Sequence, residues 1–350
     1  MVEYHNNTKN RCKRVILMSE AEYAANVVAA SHWARTHEDW TVLPIPSSTN
    51  SDGSSTGIVD MNVFQSMLEG SHNLLDPNDI ALVCVTHIPT NSGIVNPVEK
   101  IGQLIEKHNV KKDAKDGSKV FFLVDGCQSV GQMNVNVQDM KCHGLAATGR
   151  KFLRAPRGTG FLYVRDDLVD SLIPSHLDHA CAPITQVRST YPPPNIEDWI
   201  DITFQSGAKR FEFWESNVAG KLGLGQAAQY AMNEMGLDHI SSCCRLIAVE
   251  LVALLKEMDS IDLHHESSCG IVTFTVRDID SATVKDLLWT KQPWDDCRFE
   301  VSVVPATSTP LDSARCQVPD LVRASVSYMT SLQDVERFVR RLQTIIKDQQ

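Results

Sequence analysis

No two of the ten cysteines stand in a C-x-x-C spacing, which removes zinc-ribbon and thioredoxin-like frameworks. They are scattered from Cys12 to Cys316. Several, Cys84 and Cys142 among them, lie in or beside apolar runs and read as small buried hydrophobes in a reducing compartment. No apolar run approaches the roughly 20 residues a membrane span needs, and the N-terminus holds no apolar stretch long enough for a signal peptide. The expectation is a soluble, cytosolic protein. Positive charge is in deficit: 33 Lys and Arg against 43 Asp and Glu leave a net charge of −10. That balance argues against nucleic acid or an anionic membrane as the main partner. There is no internal repeat and no low-complexity tract.

What is present is an ordinary globular composition, 43% hydrophobic and 22% charged over 350 residues, long enough for two domains or one large α/β unit. Short β-branched runs alternate with helical patterns. "RVILMS" (14–19) reads as a strand and "EAEYAANVVAASHWART" as a helix. "WTVLPIP" reads as a strand stopping at its prolines, and "DMNVFQSMLEG" as a short helix ending at glycine. "DIALVCVTHI" and "SKVFFLVDG" are continuous apolar strands separated by the helix "PVEKIGQLIEKHN". The order predicts an α/β fold with a mostly parallel sheet and helices on both faces. Residues 182–208, with a triple proline, read as an excursion loop or lid. Helices near 217–235 and 237–258 follow. From about 260 the pattern changes to "GIVTFTV", "VSVV" and "VRASVSY" interleaved with helices near 281–290 and 332–348, the last opened by Ser331 and Asp334 in capping-box spacing. The expected division is a large domain, 1–258, and a smaller C-terminal α+β domain, 259–350.

In parallel sheets ligands collect at the carboxyl ends of strands, so Thr86–Gly93, Asp125–Gln128 and Thr148–Lys151 are the residues to watch. The stretch "LAATGRKFLRAPRGTGFLYV" (145–164) concentrates Arg150, Lys151, Arg154 and Arg157 in an acidic chain. A small anion is a better partner for such a local cluster than a polyanion. Lys151 follows Asp125 by 26 residues, beside Thr148, Gly149 and Arg150. An acid and a lysine at neighbouring strand ends, with a hydroxyl, backbone amides and an arginine, are the parts of a pyridoxal phosphate site.

Six motifs carry a resemblance. "SEAEYAAN" (19–26), "THIPTNSGIVNPV" (86–98), "LVDGCQSVGQ" (123–132), "TGRKFLRAPRGTGFLYV" (148–164), "RFEFWESNVAGKLGLG" (210–225) and "RASVSY" (323–328) occur in this order. They resemble the class V aminotransferase and cysteine desulfurase-like family of pyridoxal phosphate enzymes, fold type I. The resemblance implies Lys151 as the Schiff-base lysine and proton-moving base. It implies Asp125 on the ring nitrogen, Gln128 on the ring's phenolic oxygen, and Thr90 or Asn91 near that oxygen. Tyr23 would stack on the ring, Thr148 and Arg150 would grip the phosphate, and Arg323 would clamp a substrate α-carboxylate. Arg154 and Arg157 are open between bracing the loop and touching the cofactor. A homodimer acting on a small amino acid is implied.

The chain departs from the family in three places. The position of the desulfurases' persulfide-carrying cysteine falls near Ser308, and Cys316 lies too close to Arg323 to match unless a shifted loop brings it in. Persulfide transfer is therefore disfavoured against lyase or aminotransferase chemistry. Glu215 stands where many members have a threonine reaching the neighbouring subunit's phosphate, and Trp214 replaces a small residue. Only thirteen residues precede Arg14, where the family has some tens; the expectation is an N-terminally shortened large domain. The alternative function is that of a non-catalytic homologue acting as a binding or regulatory protein. "HLDHAC" (176–181) offers His176, Asp178, His179 and Cys181, but without helical or knuckle spacing it reads as a polar loop, and no metal is assigned. "HH" (264–265) reads as a loop before a strand, and Cys243–Cys244 as helix packing.

Overall fold

The computed structural model describes residues 3–4, 14–73, 75–113, 119–188, 195, 199–291 and 297–349. The triple proline of 192–194 and Cys12 lie outside them. Eight strands of the N-terminal part carry labels: β1 (Arg14–Ser19), β2 (Trp40–Ile45), β3 (Ser47–Thr49), β4 (Ser55–Val59), β5 (Ile80–Thr86), β6 (Phe121–Asp125), β7 (Gly144–Thr148) and β8 (Gly160–Val164). Six of them form one sheet in the order β2-β1-β5-β6-β7-β8. All neighbours are parallel except β8, which returns antiparallel to β7, and β3 and β4 form a separate hairpin. The parallel α/β arrangement expected from the alternation is the one present.

The strand expected to stop at its prolines instead runs through Pro44, opposite Met18. The reason is position: β2 is the sheet edge, where a missing N–H breaks no ladder.

The helices that pack this sheet are α1 (Ala24–Thr36), α2 (Met61–Glu69) and α3 (Val98–Asp113). Asp60 caps α2 by accepting from the amides of Asn62 and Val63, and Gly70 closes it in the left-handed conformation, φ 79°, which glycine adopts at no steric cost. Phe64, Ile101, Ile105, Phe122 and Val124 are fully buried in the core on this face. On the opposite face α1 covers Ile16 and Met18.

Next come α4 (Val218–Gln229), extended by a π-helical turn at Tyr230–Met235, and α5 (Leu237–Lys256). The C-terminal part has β9 (Ile261–Leu263), β10 (Ile271–Val276), β11 (Ser302–Val304) and β12 (Leu321–Ser325), with α6 (Ser281–Trp289), α7 (Pro310–Cys316) and α8 (Leu332–Gln349). Its sheet is antiparallel, in the order β9-β10-β12-β11. Its core joins Phe274, Val322, Phe338 and Leu342 to Ile247, Leu251 and Leu255 of α5. The capping box at the start of α8 is formed: Asp334 N donates to Ser331 Oγ at 3.1 Å, and Ser331 N to Asp334 Oδ2 at 2.9 Å. No helix among the described residues is long and apolar enough to cross a membrane.

Candidate active site

The carboxyl ends of β1, β5, β6 and β7 meet the C-terminal part along one seam. Arg323 of β12 donates to Thr90 Oγ1 at 2.9 Å, Asn91 Nδ2 to Pro305 O at 3.0 Å, and Thr273 Oγ1 to Asn91 O at 3.0 Å. Asp312 N reaches Glu20 O at 3.1 Å. The residues singled out in the sequence collect here.

Asp125 ends β6. Its Oδ1 accepts from Cys127 N at 2.8 Å and its Oδ2 from Asn26 Nδ2 at 2.9 Å. Gln128, buried one turn on, donates to Thr90 Oγ1 at 3.0 Å. Thr90 therefore ties the post-β5 loop, the post-β6 turn and β12 together. Lys151 lies in the turn after β7, which is fastened by Gly149 N to Thr159 O at 2.8 Å, Ala155 N to Gly149 O at 2.9 Å and Arg154 N to Lys151 O at 2.9 Å. Gly149 tolerates no side chain, since a Cβ would stand 2.4 Å from Thr159 Oγ1. Lys151 Nζ lies 5.9 Å from the ring centroid of Tyr23, the exposed residue that opens α1.

Burial lowers the Lys151 ammonium's affinity for its proton. Cys127 and Asp125 oppose that shift, while Arg150 and Arg323 add to it. Arg323 is itself pushed below its ordinary value by burial and then by Arg150. Lys151, Arg150 and Arg323 thus lie in one another's field, and Asp125 acts on Lys151. Among the atoms buried there without a hydrogen-bond partner are Asn91 Oδ1 and Arg323 Nε. Buried polar groups are seldom left so, and the same strand ends bring an amine, a carboxylate, an amide oxygen and a guanidinium into one region. The chemistry fits pyridoxal phosphate with an amino-acid carboxylate.

Thr148 Oγ1 lies 3.4 Å from Thr159 O, and Arg150 is exposed. The open question about Arg154 resolves toward bracing: its guanidinium donates to Ser327 Oγ at 2.6 Å, contacts Met329 Sδ and lies 4.9 Å over the Tyr328 ring. Its φ of 61° turns the loop after Lys151 toward that contact. Arg157 is exposed. Glu215 and Trp214 are exposed, and the Trp214 amide donates to Asp178 Oδ2 at 2.8 Å. Asp178 also accepts from the amides of Ala180 and Cys181, so its carboxylate organises a turn. His264 and His265 follow β9 in a loop, with His265 Nε2 3.7 Å from Asp312 Oδ2. Cys244 is buried against Ile240 and Leu153.

Two residues of this end of the sheet escaped the sequence reading. Glu22 is fully buried, and Asn26 joins it to Asp125. Their four-residue spacing, which brings side chains onto one face of a helical segment, was the available signal.

The chain resembles proteins of known kind. It is 28% identical to the cysteine desulfurase of Klebsiella pneumoniae over 337 residues, 95% of this chain and 71% of the relative. It is 24% identical to a probable cysteine desulfurase of Pyrococcus abyssi over 306 residues, 85% of this chain and 65% of the relative. The chain thus spans about two thirds of the length of the curated relatives it matches. Among solved structures, a cysteine desulfurase from Thermococcus onnurineus superposes with a TM-score of 0.78 at 21% identity, covering 97% of this chain and 74% of that one. One from Escherichia coli gives 0.75 at 17% identity, covering 97% and 73%. These names carry the activity that the residue near Ser308 argued against. The sequence profile of the aminotransferase class-V family matches residues 2–338. The chain therefore belongs to the aminotransferase class-V family, whose cofactor is pyridoxal phosphate.

Proposed function

We propose that this chain is a pyridoxal phosphate-dependent enzyme that removes the Cα proton of a small α-amino acid, with C–S lyase or aminotransferase outcome. The observation that carries the reading is the cluster at the strand ends: Lys151 with Asp125, Arg150 and Arg323 acting on it, and Asn91 Oδ1 and Arg323 Nε buried and unpartnered. When bound, the cofactor supplies an aldehyde for amine capture and a ring that takes up the electron pair left at Cα.

The rest is the work of this chain's side chains. Lys151 would supply the amine for the aldehyde, and burial raises the share of that amine that is neutral and nucleophilic. The same side chain would move the proton at Cα. Asp125 holds the ring nitrogen, Gln128 with Thr90 and Asn91 hold the ring oxygen, and Tyr23 covers a ring face. Thr148 and Arg150 hold the phosphate, and Arg323 orients the substrate carboxylate.

Persulfide transfer is the less favoured outcome, although the curated relatives are named cysteine desulfurases. Ser308 lacks a thiol. Cys316, in α7, donates to Asp312 Oδ1 at 3.5 Å, and burial together with the Asp312 charge pushes its thiol up. A thiol so held is a weak nucleophile.

A homodimer and a two-domain division at 258/259 belong to the same proposal. Phe161 and Leu162 on β8, Trp214, and Val218 and Leu222 on α4 are exposed apolar side chains, of the kind that subunit contacts cover. Cys84, Cys127, Cys142, Cys181, Cys243, Cys244, Cys269 and Cys316 are in no disulfide, which supports a reducing, cytosolic setting. The test is to incubate the protein and pyridoxal phosphate with cysteine, cystine and alanine, and to measure sulfide, pyruvate and transferred amine. Pyruvate or transferred amine supports the reading. Protein-bound persulfide with alanine as the co-product contradicts it.

A further inference from the structure

One carboxylate beneath the site has no part in the roles above. Glu22 is fully buried, yet its oxygens accept from five donors on β1, α1 and β5. Oε2 takes Ser19 Oγ at 2.8 Å and Thr86 N at 2.9 Å. Oε1 takes Asn26 Nδ2 at 2.7 Å, Tyr23 N at 3.3 Å and the Thr86 hydroxyl. The Asn26 nitrogen spends its other hydrogen on Asp125 Oδ2, at 2.9 Å. Two carboxylates facing one nitrogen fix the amide's orientation, because Oδ1 in that place would oppose two acceptors. The chain of contacts runs Glu22, Asn26, Asp125.

We propose that Asn26, itself held by Glu22, is a positioning residue that aims the Asp125 carboxylate at the ring nitrogen of pyridoxal phosphate. The inference rests on the functional reading above. Asp125 has two fixed donors, Cys127 N on Oδ1 and Asn26 Nδ2 on Oδ2, and together they set the plane of the carboxylate. Without Asn26 the carboxylate keeps one anchor, while the attraction between it and the Lys151 ammonium remains. An Asp125 turned toward Lys151 serves neither the ring nor the amine. Glu22 supplies the rigidity, since a side chain tied to three elements cannot rotate without breaking several bonds at once. The thiols of Cys84 and Cys127 stand in the same field: burial and then Glu22 and Asp125 push the Cys84 thiol up, and burial and then Asp125 push the Cys127 thiol up.

A residue that merely supports the fold affects every ligand of the site alike. A residue acting through Asp125 affects only ligands with a basic ring nitrogen. The experiment compares binding of pyridoxal phosphate and of its 1-deaza analogue, which has carbon in place of that nitrogen, to wild type, Asn26→Ala and Asn26→Ser, with folding checked by circular dichroism. The expected result is a loss of about tenfold or more in affinity for pyridoxal phosphate in N26A, the worth of one hydrogen bond to a charged group. The analogue's affinity should stay within about twofold of wild type. Asn26→Ser, which keeps one donor, should fall between, and gives the same readout if N26A does not fold. Equal losses for both ligands, or no loss for either, overturn the inference while leaving the functional reading in place. A wild type that binds neither ligand overturns the functional reading, and this inference with it.

Discussion

At the ends of β1 and β5 the oxygens of Glu22 are occupied by five donors; nearby, where the post-β5 loop meets β12, the Asn91 amide oxygen and the Arg323 Nε are buried with no partner. Both regions are polar, and both lie at the carboxyl edge of the same sheet. In the first, the Glu22 oxygens are fully engaged, and the cluster behaves as framework. The second is complete only with something added, which is how a binding site differs from a buried polar network. Asp125 belongs to both, with one face toward Asn26 and its charge toward Lys151.

The comparison can be broken from the framework side first. Glu22→Ala leaves several buried donors unmatched, and a loss of about 3–5 kcal/mol of stability is expected, read by chemical denaturation. Glu22→Gln is no rescue. An NH2 at either oxygen's place meets a donor that cannot turn away, Asn26 Nδ2 at one and Thr86 N at the other. A stable E22A protein would mean the five contacts carry little.

From the open side, Arg323→Gln should raise KM for an amino-acid substrate by about 10–100-fold with kcat less affected. An unchanged KM would remove Arg323 from the substrate. Arg154→Ala tests the brace between the two parts; loss of its Ser327 bond and Tyr328 contact should cost about 1 kcal/mol, measurable as a lowered melting temperature.

The smallest effect concerns Lys151 in cofactor-free protein. Its native affinity for a proton is reduced by burial below the ordinary 10.5, so between the lowered value and 10.5 the unfolded chain binds more protons. Stability therefore rises with pH across that window. Below it, the buried ammonium is a constant cost. Lys151→Met should thus stabilise the cofactor-free protein near neutral pH, on the order of 1 kcal/mol, and flatten the rise. Thermal melts at several pH values decide it.

Much of the sheet was legible because its strands are continuous apolar runs ended by polar residues, "ALVCVT" and "FFLVD" above all. Pro44 was misread because an edge strand and a strand end look alike in sequence. Asp125 and Lys151 were visible as post-strand residues. Arg323 was legible only through the resemblance to the family, since nothing in "VRAS" tells that its arginine returns to Thr90, 233 residues earlier. Glu22 and Asn26 were missed for a similar reason. Their meaning depends on Thr86, 64 residues from Glu22, and on Asp125, 99 residues from Asn26, and no local pattern encodes those distances. Arg154 was ambiguous because a cation near a phosphate site and a cation braced on tyrosine share one sequence context.

The central claim, that the open region is a pyridoxal phosphate site built on Lys151, is tested most directly by adding the cofactor to wild type and Lys151→Ala, treating with borohydride, and mapping the labelled peptide. The account predicts a visible absorption band in wild type that borohydride abolishes, with the reduced cofactor fixed on the peptide carrying Lys151, and neither in the variant. Label spread over surface lysines, or a band that persists unchanged in a folded Lys151→Ala protein, would contradict it.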